Sequence, residues 1–292
     1  MRVARAFAPG HITGFFRIGD TAKDFRRKGS RGAGLCLSEG VVTEAEVERS
    51  ATRKIVIFLN NKRAKAEVTR KVAEELVSNE NLNVRVKSSF QLPISQGLGI
   101  SGAGALSTAL ALNEALRLGL SYEVLVAIAH KAELYCKTGL GDVVAQSIGG
   151  FEIRLKEGLP PFGLIKNITW HNGNKIVISV VGRKIETKSV LTNPSLRAKI
   201  NFWGEKCLKK LIRKMSIENF FAVSNEFALK TGLALKKVID VVEKCQAHGY
   251  AAQTMLGNSV FAIGDTKKLV GMLREYGHVY ICSIGERAKI LV

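Results

Sequence analysis

Pro93-Ile-Ser-Gln-Gly97-Leu98-Gly99-Ile100-Ser101-Gly102-Ala103-Gly-Ala105 sets four glycines and two serines directly ahead of a helix-periodic segment, Leu106 to Leu118. Glycine lets a backbone turn tightly and approach a ligand closely. The free N–H groups and positive dipole end of a following helix then make a site for phosphate. Further along, Glu133 and Asp142 supply two carboxylates. A hydroxyl such as that of Ser101 and one carboxylate can hold Mg²⁺, while a second carboxylate orients or deprotonates an acceptor hydroxyl. Phosphoryl transfer needs these groups, because its catalysis is mostly positioning and charge neutralisation.

Each group also has a plainer reading. The Gly97–Gly99 pair is compatible with a tight turn that packs a helix, although the small run Ser101 to Ala105 lacks the bulk to fill a core. Alone, Glu133 reads as a solvent-facing helix acid and Asp142 as the N-cap of a helix Val143–Ile148. No Gly-x-x-x-x-Gly-Lys-Ser/Thr occurs, which excludes an ordinary P-loop. Gly-x-Gly-x-x-Gly spacing with a downstream ribose-binding acid is also missing, which argues against a dinucleotide.

Several cationic or polar groups could face an acceptor. His130 lies one turn before Glu133 on the same helical face. Arg154, on a strand after Gly149-Gly150, could pair bidentately with a carboxylate. By default these two are a helix-face histidine and a strand-surface arginine. Gly29-Ser30-Arg31-Gly-Ala-Gly34 is a second glycine-rich, cationic turn. It is a flexible loop by default, but its Ser30-Arg31 pair suits an anionic substrate. Thr254 to Ser259 is a polar turn that could close over phosphates.

Short strands are expected around Val3–Phe7, Ile12–Arg17, Leu35–Glu44 and Lys54–Leu59, each bounded by Gly, Asn or polar clusters. Ala64–Val77 reads as an amphipathic helix through Val68, Val72, Ala73 and Leu76. A strand Leu82–Val86 leads into the glycine loop. Helices Ala103–Leu118 and Tyr122–Cys136 follow, the second with Ser121 as N-cap. A strand Phe151–Leu155 precedes a break at Gly158 to Pro161, the best candidate domain boundary. Beyond it come strands near Leu164–Trp170 and Ile176–Val181, then helices Pro194–Lys214, Ile217–Thr231 and Leu235–Ala247. The chain closes with strand Gly257–Ile263, helix Thr266–Tyr276 and strand His278–Ile284. This order reads as two α+β lobes.

The 292 residues, 46% hydrophobic and 24% charged, describe a soluble globular protein with ample core. No apolar run reaches the ~18 residues of a membrane span. Met1 to Gly10 alternates like a strand and is too interrupted for a secretory h-region, so the cytoplasm is the expected compartment. Five scattered cysteines lack metal-ligand spacing and read as reduced core fillers. The net charge of +19 suits anionic substrates. Its lysines and arginines are dispersed without interleaved aromatics, so solvated faces explain most of them and a nucleic-acid surface is the weaker reading.

Pro93-x-x-x-Gly97-Leu98-Gly99-x-Ser101 resembles the ATP-binding motif of the GHMP kinases, which include galactokinase, homoserine kinase and mevalonate kinase. Ala8-Pro-Gly-His11 stands where that family has a Pro-Gly-Lys-like turn. Gly141-Asp142, followed by Gly149-Gly150, matches its catalytic-aspartate segment. Phe7 to Phe16, Gly29 to Gly34 and Gly102 to Ser107 look like the variants of archaeal members that act on pantoate. The resemblance spans nearly the whole chain and implies a two-lobe α+β fold. Residues 1–158 would form a lobe like ribosomal protein S5 domain 2 that binds ATP, and 159–292 a ferredoxin-like lobe.

The implied reaction moves the γ-phosphate of ATP to the 4-hydroxyl of (R)-pantoate, giving 4-phosphopantoate for coenzyme A synthesis. Mevalonate and homoserine are the alternative acceptors, and a nucleotide- or RNA-binding regulator is the alternative from another class. By the resemblance, Pro93, Gly97, Leu98, Gly99, Ile100, Ser101, Gly102 and Ala103 would contact ATP. Ser101 and Glu133 match the family's Mg²⁺ ligands and Asp142 its catalytic aspartate. His11, Ser30, Arg31, His130 and Arg154 would surround the acceptor. His11 replaces the usual lysine, Ile100 replaces the first serine of a Ser-Ser pair, and Gly257-Asn258 replaces a richer glycine motif. The expected partner is a small molecule, with neither nucleic acid nor membrane; a homodimer is possible, and the sequence does not reveal the oligomeric state.

Overall fold

The computed structural model describes residues 1–78, 81–168, 175–185 and 187–291. Its first half is built on two long antiparallel strands, β1 (Arg2–Gly19) and β2 (Gly29–Arg49), which pair from Arg2↔Val47 to Gly19↔Gly29. Shorter, separate strands were expected here. Glycine and alanine instead let the chain run on as sheet, with register shifts between Pro9 and His11 and between Thr13 and Phe15 absorbing the irregularities. The expected turn at Ala8–His11 is thus a bulge within β1. The expected loop Gly29–Gly34 is a buried strand segment paired on both edges, which corrects the default reading of a flexible turn.

β3 (Lys54–Leu59), the two-residue β4 (Lys62–Arg63), α1 (Glu67–Leu76) and β5 (Leu82–Phe90) follow. Next come α2 (Ile100–Leu116), α3 (Tyr122–Cys136), α4 (Asp142–Gln146), β6 (Phe151–Lys156) and β7 (Leu164–Ile168). The last two positions of the strand expected over Leu164–Trp170 lie outside the described residues. Helix α2 is buried on nearly every side, from Ile100 through Ala115. A helix that is apolar all round belongs in a core. Its glycines and alanines let it lie against β1, β2, α1 and α3.

The second half adds β8 (Ile176–Val180), α5 (Thr187–Thr192), α6 (Pro194–Arg213), α7 (Ile217–Thr231) and α8 (Lys236–Gln246). It ends with β9 (Gly249–Gln253), β10 (Ser259–Gly264), α9 (Thr266–Leu273), β11 (Val279–Cys282) and β12 (Lys289–Leu291). The small sheet has the order β11-β8-β10-β9 and is antiparallel. With helices between β8 and β9 and between β10 and β11, this is a ferredoxin-like arrangement. Alternation along its strands serves two cores. Val177, Val260 and Ala262 face α8 and α9, whereas Ile178, Phe261 and Ile263 join the main core with Phe220 and Phe221 of α7.

The large sheet runs β12-β1-β2-β5-β3-β4, with β6 on β2 and β7 on β6. β7 and β12, both beyond residue 158, therefore complete this sheet. The second half of β1 packs on α7, where Phe15 and Phe16 meet Phe227 at ring-centroid distances of 6.5 and 5.7 Å. No helix among the described residues is long and apolar enough to cross a membrane.

Candidate active site

A cleft of about 470 Å³ opens at the start of α2. Its walls are Gly97 to Ser101, Lys137 to Asp142, Ser30 of β2, Ile185 with Thr187, Lys188 and Leu191 of α5, and Met255-Leu256. The glycine loop reaches it in a conformation that bulkier residues resist. Gly97 and Gly99 have φ of +73° and +61°, and a Cβ on Gly99 would stand 2.9 Å from His11 Cβ and 3.0 Å from Gln146 Nε2. Gly99 is the N-cap of α2 and brings no side-chain cap, so the first-turn N–H groups are left for a ligand.

Three long-range bonds hold the loop. The His11 N–H donates to the Leu98 carbonyl (2.9 Å), Gln146 Nε2 donates to the Gly99 carbonyl (2.7 Å), and Thr254 Oγ1 donates to the Gln96 carbonyl (2.9 Å). The turn at Thr254 therefore docks on the loop, while its neighbours Met255 and Leu256 line the cleft.

Ser101, in the first turn of α2, donates to Glu133 Oε1 at 2.5 Å, and Thr138 Oγ1 donates to the same oxygen at 2.6 Å. Glu133 is buried rather than solvent-facing. Burial pushes its pKa up to about 7 and nearby Asp142 adds to the rise, against the two hydroxyl donors. Glu133 Oε2 and Asp142 Oδ2 both lie over Gly139. A buried carboxylate bonded to the hydroxyls of Ser101 and Thr138, which themselves line the cleft, is a hard-oxygen donor set suited to a small divalent cation.

Asp142 is the first residue of α4; Gly141 takes the N-cap position, so the aspartate does not serve as the cap. Its Oδ1 lies 2.8 Å from His11 Nδ1, and His11 Nε2 lies 3.0 Å from Glu152 Oε1. Burial alone would lower the His11 pKa, but the hydrogen bonds to Asp142 and Glu152 outweigh it and the net shift is upward. Glu152 Oε1 also accepts from Arg154 Nη1. A chain of alternating charge thus runs from the cleft inward: Asp142, His11, Glu152, Arg154.

Of the five acceptor-side residues expected from sequence, Ser30 lines the cleft. His11 is fully buried with both ring nitrogens engaged, so it supports Asp142 from behind. His130 is also buried; its Nε2 donates to the Lys28 carbonyl (2.9 Å), and burial drives its pKa down to about 4, leaving it neutral. Arg31 turns away, its Nε on the Leu155 carbonyl (3.0 Å) and its Nη1 on Glu205 (3.0 Å). Arg154 is a buried residue, not a strand-surface one. Its Nε and Nη2 have no partner among the described residues, and a Cβ on Gly141 would sit 2.9 Å from that Nε and collide with Ser30 Oγ. Sequence reasoning missed Glu152, Gln146, Thr138 and the cleft-lining Lys137 and Lys188. Glu152 had a legible signal, since residues two apart on a strand share a face and its neighbour there is Arg154.

A family model, GHMP kinases N terminal domain, matches residues 63–150. The pantoate kinase of Methanocaldococcus jannaschii is 38% identical over 281 residues, covering 95% of this chain and 99% of its own. The chain belongs to the GHMP kinase family. The pantoate kinase of Thermococcus kodakarensis is 35% identical over 266 residues, covering 89% and 87%. A solved structure described as a phosphotransferase related to the coenzyme A biosynthesis pathway superposes on this GHMP kinase with a TM-score of 0.89. It is 31% identical and covers 99% of this chain and 98% of its own. The glycine loop of the kinase, residues 93–105, falls inside the matched segment, as do Glu133 and Asp142.

Proposed function

We propose that this kinase transfers the γ-phosphoryl group of ATP to the 4-hydroxyl of (R)-pantoate, forming 4-phosphopantoate for coenzyme A synthesis. The observation that carries the acceptor class is Arg154. A buried guanidinium whose Nε and Nη2 have no partner among the described residues, behind the cleft-lining Ser30 and against the residue preceding Asp142, suits the carboxylate of a small hydroxy acid. Near-full-length similarity to pantoate kinases points to pantoate among such acids.

On this reading the triphosphate lies along the loop from Pro93 to Ala103, against the N-terminal turn of α2. Ser101 and Glu133 would hold Mg²⁺, which would supply charge neutralisation at the phosphates. Asp142 Oδ2 takes the hydroxyl proton as the acceptor oxygen bonds to Pγ, and the bond from Pγ to the bridging oxygen breaks to release ADP. Lys137 and Lys188, both exposed at the cleft, add positive charge where phosphates enter. A coupled ADP-release assay across pantoate, mevalonate and homoserine tests the proposal. Turnover with pantoate alone is expected; turnover with mevalonate and none with pantoate refutes it.

A further inference from the structure

We infer that Glu152 is a positioning residue for this kinase: acting through His11, it fixes the Asp142 carboxylate so that Oδ1 is occupied and Oδ2 is presented to the acceptor. The inference rests on the phosphoryl-transfer reading of Asp142. Glu152 itself is fully buried on β6 and does not line the cleft. Its reach to the site is through the imidazole, whose two ring nitrogens lie 2.8 Å from Asp142 Oδ1 and 3.0 Å from Glu152 Oε1. Two ring nitrogens facing two carboxylate oxygens at these distances are both donors when the ring is an imidazolium. The ring then sits as a cation between two anions, and Arg154 closes the row beyond Glu152.

The fold clears space for this arrangement. Gly34 on β2 pairs with Glu152 on one edge and with Thr13, near His11, on the other. A Cβ at Gly34 would collide with His11 Nε2 and stand 2.9 Å from Glu152 Oε1. The imidazole–carboxylate bond therefore crosses a strand position that carries no side chain. Two further titratable groups adjoin this row: Glu133, whose Oε2 lies with Asp142 Oδ2 over Gly139, and the Cys36 thiol, which burial pushes well up, so it stays neutral. A cation that must hold a catalytic carboxylate without itself meeting substrate needs its own anchor, and Glu152 is that anchor. A lysine would have reached Asp142 as a mobile point charge; the clamped ring holds one orientation.

The test is a kinetic split with a double-mutant cycle on the full chain. Glu152→Gln is expected to lower kcat by about 10-fold or more while the ATP KM stays within about twofold, the size of effect typical of residues that orient a primary group. His11→Gln is expected to lower kcat similarly, and the double variant to be no worse than about twofold below the poorer single, because both remove one linkage. Wild-type kcat in Glu152→Gln, multiplicative losses in the double, or a change confined to the pantoate KM (the sign of action through Arg154) would each overturn the inference. A second measurement needs no variant fold and no turnover: ¹⁵N resonances of the wild-type His11 ring are expected to show both nitrogens protonated at pH 7.5. A neutral ring there overturns the inference as well. Absence of wild-type turnover with pantoate refutes the substrate reading, not the clamp, which the resonances still test.

Discussion

Replacing Glu133 by glutamine separates the cost of this site from its use. The carboxyl is buried on α3 and its pKa rises from the ordinary 4.5 to about 7, chiefly through burial. Between these values the folded protein holds a proton that the unfolded chain has released. Stability therefore falls as pH rises through that window and levels off above about 7. At 1.36 kcal/mol per pKa unit, the gap between 4.5 and about 7 corresponds to about 3 kcal/mol lost by the ligand-free wild type. Glutamine keeps an oxygen for the Ser101 and Thr138 hydroxyls and has nothing to ionise. Urea unfolding of both proteins from pH 4 to pH 8.5 reads the difference directly. The curves are expected to meet near pH 4 and to part by about 3 kcal/mol in favour of Glu133→Gln above pH 7, although that variant should have lost kinase activity. Adding Mg²⁺ with a non-hydrolysable ATP analogue at pH 8 is expected to stabilise the wild type more than the variant. A gap that does not change with pH would refute the reasoning, because it would mean that Glu133 is not carrying a burial penalty on its charge.

Asp142→Asn is expected to lower kcat by ~10²-fold or more in the coupled assay, the range supplied by a positioned acid–base group; a fully active variant would demote Asp142 to a structural residue of α4. Arg154→Ala is expected to raise the pantoate KM, with the ATP KM unchanged, because on the proposed reading it removes the cation that pairs with the acceptor carboxylate. An unchanged pantoate KM would take Arg154 out of the acceptor pocket.

Helices with strong local signals were legible from the sequence. Tyr122–Cys136 and Ile217–Thr231 begin and end where periodicity placed them, and Ser121 caps the first by accepting from the Val124 N–H. The glycine loop was equally legible, because its work is local: turn, helix start, hydroxyl. The strand Gly29–Gly34 was not, since glycine disfavours strands in isolation and only pairing to β1 on one side and β6 on the other makes it sheet. Strands β9 and β12 were missed for a similar reason; each is short and defined by its partner. Helix α2 begins at Ile100, three residues before the expected Ala103, because a run of glycine and alanine gives no amphipathic edge to mark a start. In the site, Ser101, Glu133 and Asp142 could be named from residue type and spacing. Glu152 could not be tied to them, since its bond to His11 spans 141 residues of chain and leaves no periodic trace.

That separation bears on the nascent protein. The phosphate loop, Ser101, Glu133 and Asp142 emerge from the ribosome within about fifty residues of one another, a span whose ends meet readily. His11 emerges long before them but is secured by Glu152 only after β6 has been made and paired with β2. A chain halted between α4 and β6 therefore lacks both the Glu152 bond to His11 and the Thr254 bond to the glycine loop, so the site is completed only when the second half has been made.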